Sequence, residues 1–386
     1  MENFTSNLST KIFFGEGEIQ KLGEEILLHG KRVLFIYGKS SIKRVGIYDK
    51  VIEQFRSNNI FYKEVSGVDP NPDIKTVREA KKVIIENNLD FILAVGGGSV
   101  IDCSKAISAA AMYSGDPWDF LEYKVSVEKA LPIGAVLTLA ATGSEMNGGS
   151  VISNREINMK RSFRSDLLKP VFSILDPTYT YSVSKYHTAA GAVDIFVHVT
   201  EQYFSNVKGT FIQDRLCESV IKTVIEYGRK AVENPEDYEA RANLMWGATI
   251  GLNGLLGFGK VTDWATHMIE HELSAFYELT HGMGLAIILP NWMSYVLDED
   301  NSKIFADLGR GVFYISEKDD YKAAKETILK TREFFNSLGA PSTLREVDID
   351  STHFKQMAKQ SVKYGEIGNF KKLGEEDVLN ILKASL

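Results

Sequence analysis

The sequence predicts an α/β domain built on a parallel sheet, followed by an all-helical domain. In the first half, short β-branched or apolar runs alternate with segments of helical periodicity, the pattern of strands covered by helices. After Pro177 the strand signals stop, and long amphipathic segments follow one another to the end. A chain of 386 residues also exceeds one comfortable core, since domains usually run about 100 to 200 residues.

The expected strands are RVLFIY (32–37), IFYKEV (60–65), FILAVG (91–96), AVLTL (135–139) and VFSIL (171–175). Between them, Val45 to Ser57, Ile74 to Asn87 and Val100 to Tyr113 place apolar residues at three- and four-residue steps, as buried helix faces do. Later helical segments are expected at 187–204, 211–231, 236–256, 262–277, 282–297 and 322–338. The domains are therefore expected at 1–183 and 184–386. Their boundary, TYTYSVSKY (178–186), has no long Gly/Ser linker, so the halves are expected to pack closely around a cleft. KIFFGEG near the N-terminus is a candidate edge strand for pairing with a second subunit.

Composition excludes several function classes. A formal charge of −7 gives no general basic footprint for nucleic acid or an anionic membrane. Cys103 and Cys217 are far apart and form no CxxC, so reduced, buried thiols are expected rather than a disulfide framework or thiolate zinc site. No leader pattern and no run of about 18 apolar residues is present, which points to a cytoplasmic protein.

Two strand-to-helix turns suit phosphate chemistry. In FILAVGGGSVIDCSKA, Gly96, Gly97, Gly98 and Ser99 permit close backbone approach, and free amides at a helix start favour an anion such as a dinucleotide pyrophosphate. The turn departs from GxGxxG and follows the third expected strand, so an ordinary tight turn is an equal alternative. YGKSSIK supplies Gly38, Lys39, Ser40 and Ser41. In a nucleotide site this turn faces the adenosine ribose, where a carboxylate suits the NAD hydroxyls and a cation the 2′-phosphate of NADP. Lys39 points to NADP, with NAD the alternative.

A metal is suggested further on. Asp194 and His198 lie four residues apart, on one helix face and flanked by apolar residues, where a carboxylate needs a compensating cation or donor. His267 and His271 repeat that step, and His281 opens the next segment. Asp194, His198, His267 and His281 offer one oxygen and three nitrogens, a set for zinc or ferrous iron. A rival reading takes His267 to His271 as the HxxEH of an inverted zinc peptidase with Glu270 as base; more simply, Glu270 is a solvated residue on another helix face.

Taken together, AVGGGSVIDCSKA, TLAATGSEMN, GAVDIFVHVTEQY and HMIEHELSAFYELTHGMGLAIILP resemble the iron-containing (group III) alcohol dehydrogenases, nearest their NADP-dependent butanol dehydrogenase and aldehyde reductase branch. The resemblance runs over nearly the whole chain. It implies a dehydroquinate synthase-like architecture, with a Rossmann-like N-terminal domain, a helical C-terminal domain and a catalytic divalent metal, iron or zinc, in the cleft. Asp194, His198, His267 and His281 fall on its ligand positions, and His271 on a histidine beside nicotinamide and substrate. Gly97, Gly98 and Ser99 match its pyrophosphate loop. Asp102, Thr138, Thr142, Asn147 and Lys160 match positions lining the cofactor, as do Asn71 and Tyr179. Close NADP-linked relatives read GGGS where this chain has Gly38-Lys39-Ser40-Ser41, and NAD-linked members carry aspartate at Lys39. The implied activity is reversible reduction of an aldehyde to a primary alcohol such as butanol, by a homodimer. Alternatives are a polyol oxidation like that of glycerol dehydrogenase, a metallopeptidase and a non-catalytic nucleotide-binding protein.

Overall fold

A computed structural model describes residues 1–386. Its sheet is formed by β1 (Lys11–Phe14), β2 (Arg32–Tyr37), β3 (Phe61–Val65), β4 (Phe91–Gly96), β5 (Ile133–Leu137) and β8 (Phe172–Leu175), in the order β1-β8-β5-β4-β2-β3. All pairings are parallel. Successive side chains of a strand point to opposite faces, and here both faces are covered. Leu34, Ile36, Ile92, Ala94, Ala135 and Leu137 enter one core, while Val33, Phe35, Leu93, Val95, Val136 and Ile174 enter the other.

The covering helices divide accordingly. On the odd-numbered side of β2 lie α1 (Leu22–Leu27) and α3 (Ile47–Ser57), the latter preceded by the single turn α2 (Ser41–Arg44). On the other side lie α4 (Ile74–Asn87), α5 (Gly98–Ala111) and the short α6 (Trp118–Leu121). An antiparallel hairpin of β6 (Gly149–Asn154) and β7 (Met159–Arg164) stands outside the main sheet. The five expected strands are present. β1 and the hairpin add to them, and β1 makes the glycine turn follow the fourth strand rather than the third. KIFFGEG, considered as an edge for a second subunit, pairs with β8 of its own chain, Lys11 opposite Phe172 and Phe14 opposite Leu175.

The helices that follow are α7 (Lys185–Tyr203), α8 (Phe211–Glu233), α9 (Tyr238–Leu252), α10 (Ala265–Tyr277), α11 (His281–Val296), α12 (Ser302–Phe313), α13 (Asp320–Ser337), α14 (Phe354–Ser361) and α15 (Glu375–Ala384). Ser184 caps α7 by accepting from the His187 amide, and α7 is buried on every side from Thr188 to Tyr203, as a central helix must be. Two compact units result. One comprises Met1–Ser6, Ser184–Asn234 and Ile250–Leu386; the other comprises Asn7–Val183 and Pro235–Thr249. The chain thus crosses between units more often than a single division at 183/184 allows. Most of α9 belongs with the sheet, where Met245 joins the core and Thr249 donates to Glu145.

Both cysteines are buried free thiols. No helix is long and apolar enough to cross a membrane.

Candidate functional site

Three helices of the second unit assemble the histidine cluster. Asp194, His198 and Glu201 occupy one face of α7, at steps of four and three residues. His267 comes from the first turn of α10, and His281 is the first residue of α11. Gly282 lets α11 approach, because a Cβ there would stand 2.0 Å from the Ala190 carbonyl oxygen of α7. The Nε2 atoms of His267 and His281 each lie 3.6 Å from Asp194 Oδ1, and His198 Nδ1 lies 3.4 Å from it.

Donors about 2.1 Å from a shared tetrahedral ion stand roughly 3.4 Å apart, so these separations fit one divalent cation. Buried Asp194 Oδ1, His198 Nδ1 and His267 Nε2 have no hydrogen-bond partner, a costly state that a cation relieves. Donor atoms of Asp194, His267 and His281 all fall within 4.8 Å of one another. His198 falls outside that 4.8 Å group, its ring stacked 4.4 Å from that of His267.

Electrostatics follow from this crowding. Burial opposes ionisation of Asp194, but His198, His281 and His267 hold its carboxyl well below the usual range. Burial also works against a charged His267, yet Glu201 and Asp194 outweigh it and lift the ring to about 10. His198 goes the other way, pulled down to about 3 chiefly by burial and by its imidazole neighbours. The site therefore demands positive charge among its carboxylates.

Of those carboxylates, Glu201 was not among the sequence-based candidates, and Glu270 entered only as the base of the rival peptidase reading. Glu201 bonds His267 Nδ1, and its Oε1 accepts from the Thr266 amide at 2.7 Å. Glu270 bonds His281 Nδ1 and accepts from Ser274 Oγ at 2.6 Å. Glu270 is thus fully buried, not solvated, because α11 lies over the face it occupies. This engagement also disables the HxxEH reading, which needs Glu270 as a free base. His271 is half-buried with its ring 5.8 Å from that of His281, and it falls in a second group with Glu270 and His281. Trp264, also missed, holds a left-handed backbone (φ 74°) just before α10, rare for a bulky residue, and packs against His198 and His267. The four- and three-residue steps from Asp194 to Glu201 were a readable signal; Trp264 carried none.

The α/β unit holds the two glycine turns. β2 and β4 are neighbours, with Tyr37 opposite Val95, yet the chain leaves them toward opposite edges of the sheet. Such a switch point leaves a crevice at the strand ends, where α/β sheets bind nucleotides. Gly38 to Ser41 follow β2 there, and Gly97 to Ser99 follow β4. The amides of Val100 and Ile101 donate to the Gly97 carbonyl, so those of Gly98 and Ser99 precede the helical ladder, the position at which helix starts favour an anion. A Cβ on Gly98 would stand 2.3 Å from Thr142 Oγ1, so only glycine permits this approach.

The other candidates brace this region. Thr138 donates its amide to the Gly96 carbonyl, and Ser99 Oγ donates to the Pro70 carbonyl. Asp102 accepts from Ser144 Oγ at 2.5 Å and from the Val151 amide at 2.9 Å. Asn147 holds the Gly143 carbonyl, and the Asn71 carbonyl receives Arg155. Lys160 is buried on β7, its charge acting on Asp102. Tyr179 packs into the α1/α3 core, its hydroxyl unpartnered and its ring 5.2 Å from Lys50 Nζ.

Lys105, unnoticed in the sequence, is fully buried and donates to Ser144 Oγ, Asn147 Oδ1 and the Gly149 carbonyl. Its place three residues after Asp102 was the available signal. Exposed Lys39 pairs with Asp69 at 3.1 Å, and Asp69 also receives Arg155 at 3.4 Å.

Comparison with known proteins shows the family. Residues 9–177 match the family model for iron-containing alcohol dehydrogenase, and 188–386 match the C-terminal model of the Fe-containing alcohol dehydrogenase family. The chain belongs to the iron-containing alcohol dehydrogenase family. NADH-dependent butanol dehydrogenase A of Clostridium acetobutylicum is 50% identical, with 100% of both chains covered. NADPH-dependent aldehyde reductase YqhD of Escherichia coli is 42% identical over 95% of this chain and 94% of its own. The crystal structure of NADH-dependent butanol dehydrogenase A from Thermotoga maritima superposes with a TM-score of 0.97 at 40% identity, covering 100% of this chain and 99% of the other. This iron-containing alcohol dehydrogenase is an oxidoreductase acting on CH–OH groups, in a family that uses a nicotinamide cofactor and a metal.

Proposed function

We propose that the protein reversibly reduces a short linear aldehyde such as butanal to its primary alcohol with NADP(H), holding one iron or zinc ion on Asp194, His198, His267 and His281. The three orphaned donor atoms, Asp194 Oδ1, His198 Nδ1 and His267 Nε2, carry this reading. Butanol enters from the names of relatives 47–50% identical over the full chain. A divalent ion in such a site supplies Lewis acidity to a carbonyl or alkoxide oxygen. A bound nicotinamide would supply or accept the hydride.

The chain's residues do the remaining work. The amides of Gly98 and Ser99, at the positive end of α5, bind the pyrophosphate. Thr138, Thr142 and Asn147 shape the wall beside it, and the Asp102–Lys105–Ser144 network keeps that wall rigid. Asn71, Lys160 and Tyr179 complete the cofactor-binding set. His271 exchanges the alcohol proton with solvent through its imidazole. A homodimer in the cytoplasm is the expected form, and light scattering on the purified protein tests the assembly.

At the ribose end, Lys39 with Gly38, Ser40 and Ser41 favours a 2′-phosphate. NADH is the second reading, favoured because Asp69 neutralises Lys39 and offers a carboxylate to ribose hydroxyls. Butanal with NADPH or NADH, followed by nicotinamide absorbance on metal-reconstituted protein, tests the assignment. Oxidation of NADPH by butanal, faster than alcohol-side turnover of glycerol, is expected; no oxidation of either nucleotide refutes it.

A further inference from the structure

The carboxylates behind the histidines do more than fill space. Each histidine has two ring nitrogens, and the one that faces a cation must be free of hydrogen. A hydrogen-bond acceptor on the other nitrogen fixes that choice and makes the free nitrogen more basic. Glu201 is bonded to Nδ1 of His267, and Glu270 to Nδ1 of His281, while both Nε2 atoms stand 3.6 Å from the same Asp194 oxygen. The matched orientation of two rings from two helices is hard to attribute to packing.

We propose that Glu201 and Glu270 are positioning residues that fix the tautomer and aim of His267 and His281, so that Nε2 of each ring is held ready for the metal. This inference rests on the proposed metal site. Both carboxylates are themselves held in place. Glu201 comes from the same helix as Asp194 and His198, and accepts from backbone amides of α10 at Thr266 and, more distantly, His267. It thereby ties two ligand-bearing helices together. Glu270 reaches from α10 to the start of α11, is anchored by Ser274 Oγ, and occupies space that exists because residue 284 is glycine. A Cβ on Gly284 would stand 2.8 Å from Glu270 Cγ and 2.9 Å from its Oε1.

The test compares Glu270→Gln, Gly284→Ala and Glu201→Gln with the parent full-length protein, each stripped of metal and titrated with cobalt(II) or zinc(II) against a competing chelator. Gly284→Ala removes no polar group and keeps a helix-compatible residue, yet pushes the Glu270 carboxylate off His281. It is expected to reproduce the loss seen with Glu270→Gln, roughly 10- to 100-fold in metal affinity, with an altered cobalt absorption spectrum. NADPH binding, measured by fluorescence, is expected to stay at the parent's level in all three.

A purely structural role would lower melting temperature without moving the cobalt spectrum of the folded protein. If Glu270→Gln and Gly284→Ala bind cobalt with the parent's affinity and spectrum, the inference is wrong while the metal site stands. If the parent takes up neither ion, the metal assignment fails and this inference falls with it. Glu201→Gln disturbs backbone hydrogen bonds as well, so should it fail to fold, the other two variants decide.

Discussion

The glycine turn at Gly97 and the histidine cluster around Asp194 are suited to their proposed ligands by opposite means. In the turn the donors are backbone amides, which every residue but proline has, and the sequence contributes by removing side chains. At the cluster the donors are side-chain atoms, and the sequence must supply each one and then aim it. The contrast teaches where each site is fragile: the first fails when an atom is added, the second when an atom is lost or turned.

The sharpest break in that comparison comes from deleting a donor. His281→Ala removes one of the two Nε2 atoms that stand at 3.6 Å from Asp194 Oδ1. Loss of several kcal/mol of charge stabilisation corresponds to a fall of roughly 10³-fold in turnover. Elemental analysis should show metal loss in parallel, while NADPH binding to the α/β unit remains. Retention of both metal and turnover would take His281 out of the ligand set.

What could be read in advance follows the same division. The central strands were legible because both faces are buried, leaving unbroken runs such as FILAVG. β1, whose residues are exposed or half-buried, was legible only as an edge strand for a second subunit, and the β6–β7 hairpin was not legible, since it carries charged residues such as Lys160 and Arg161. α9 reads as one more amphipathic helix, and nothing local says that Met245 packs with the sheet. Clustered histidines announce themselves by rarity and spacing. Glu201 and Glu270 do not, because an acid on a helix is ordinarily solvated and only the packing of α10 and α11 reveals its burial.

The brace beneath the glycine turn gives the next largest effect. Burial pulls the Lys105 ammonium down to about 8, against the opposing charges of Asp102 and Glu145. Lys105→Met leaves Ser144 and Asn147 without their donor, and breaking such a buried network costs about 3 kcal/mol. Chemical denaturation of parent and variant measures it. The pH dependence has a definite sign. With a folded value near 8 and an ordinary value of 10.5, the unfolded chain binds more protons across that window. The parent's cost of burying this charge is present below pH 8 and is relieved as pH rises, so its advantage over Lys105→Met widens between about pH 8 and 10. A constant gap would mean that Lys105 keeps its proton.

Adding an atom to the turn is the converse experiment. Gly98→Ala places a Cβ 2.3 Å from Thr142 Oγ1, and relieving such overpacking costs about 1 to 3 kcal/mol. The displaced loop should weaken NADPH binding roughly 10- to 100-fold. Cobalt uptake at the histidines should be unchanged. Adding Thr142→Ser to remove Cγ2 relieves part of the clash and should recover part of the affinity. If Gly98→Ala binds nucleotide normally, the pyrophosphate lies elsewhere.

The smallest effect belongs to the exposed end of the nucleotide crevice, where side chains join the backbone turn. Lys39 and Asp69 form an ion pair in which the lysine side chain is 73% exposed, so water screens it and the interaction is weak. A 2′-phosphate must draw Lys39 away from Asp69 and accept the nearby carboxylate's repulsion. A ribose hydroxyl needs only to donate to that carboxylate. Asp69→Asn should therefore raise the NADPH-to-NADH ratio of kcat/KM by a few-fold, about 1 kcal/mol, and Lys39→Asp should lower it by a similar factor. If both substitutions shift the ratio in the same direction, the pair is not acting by charge. If neither shifts it, nucleotide choice rests on the backbone of Gly38 to Ser41, and the whole crevice then belongs with the glycine turn.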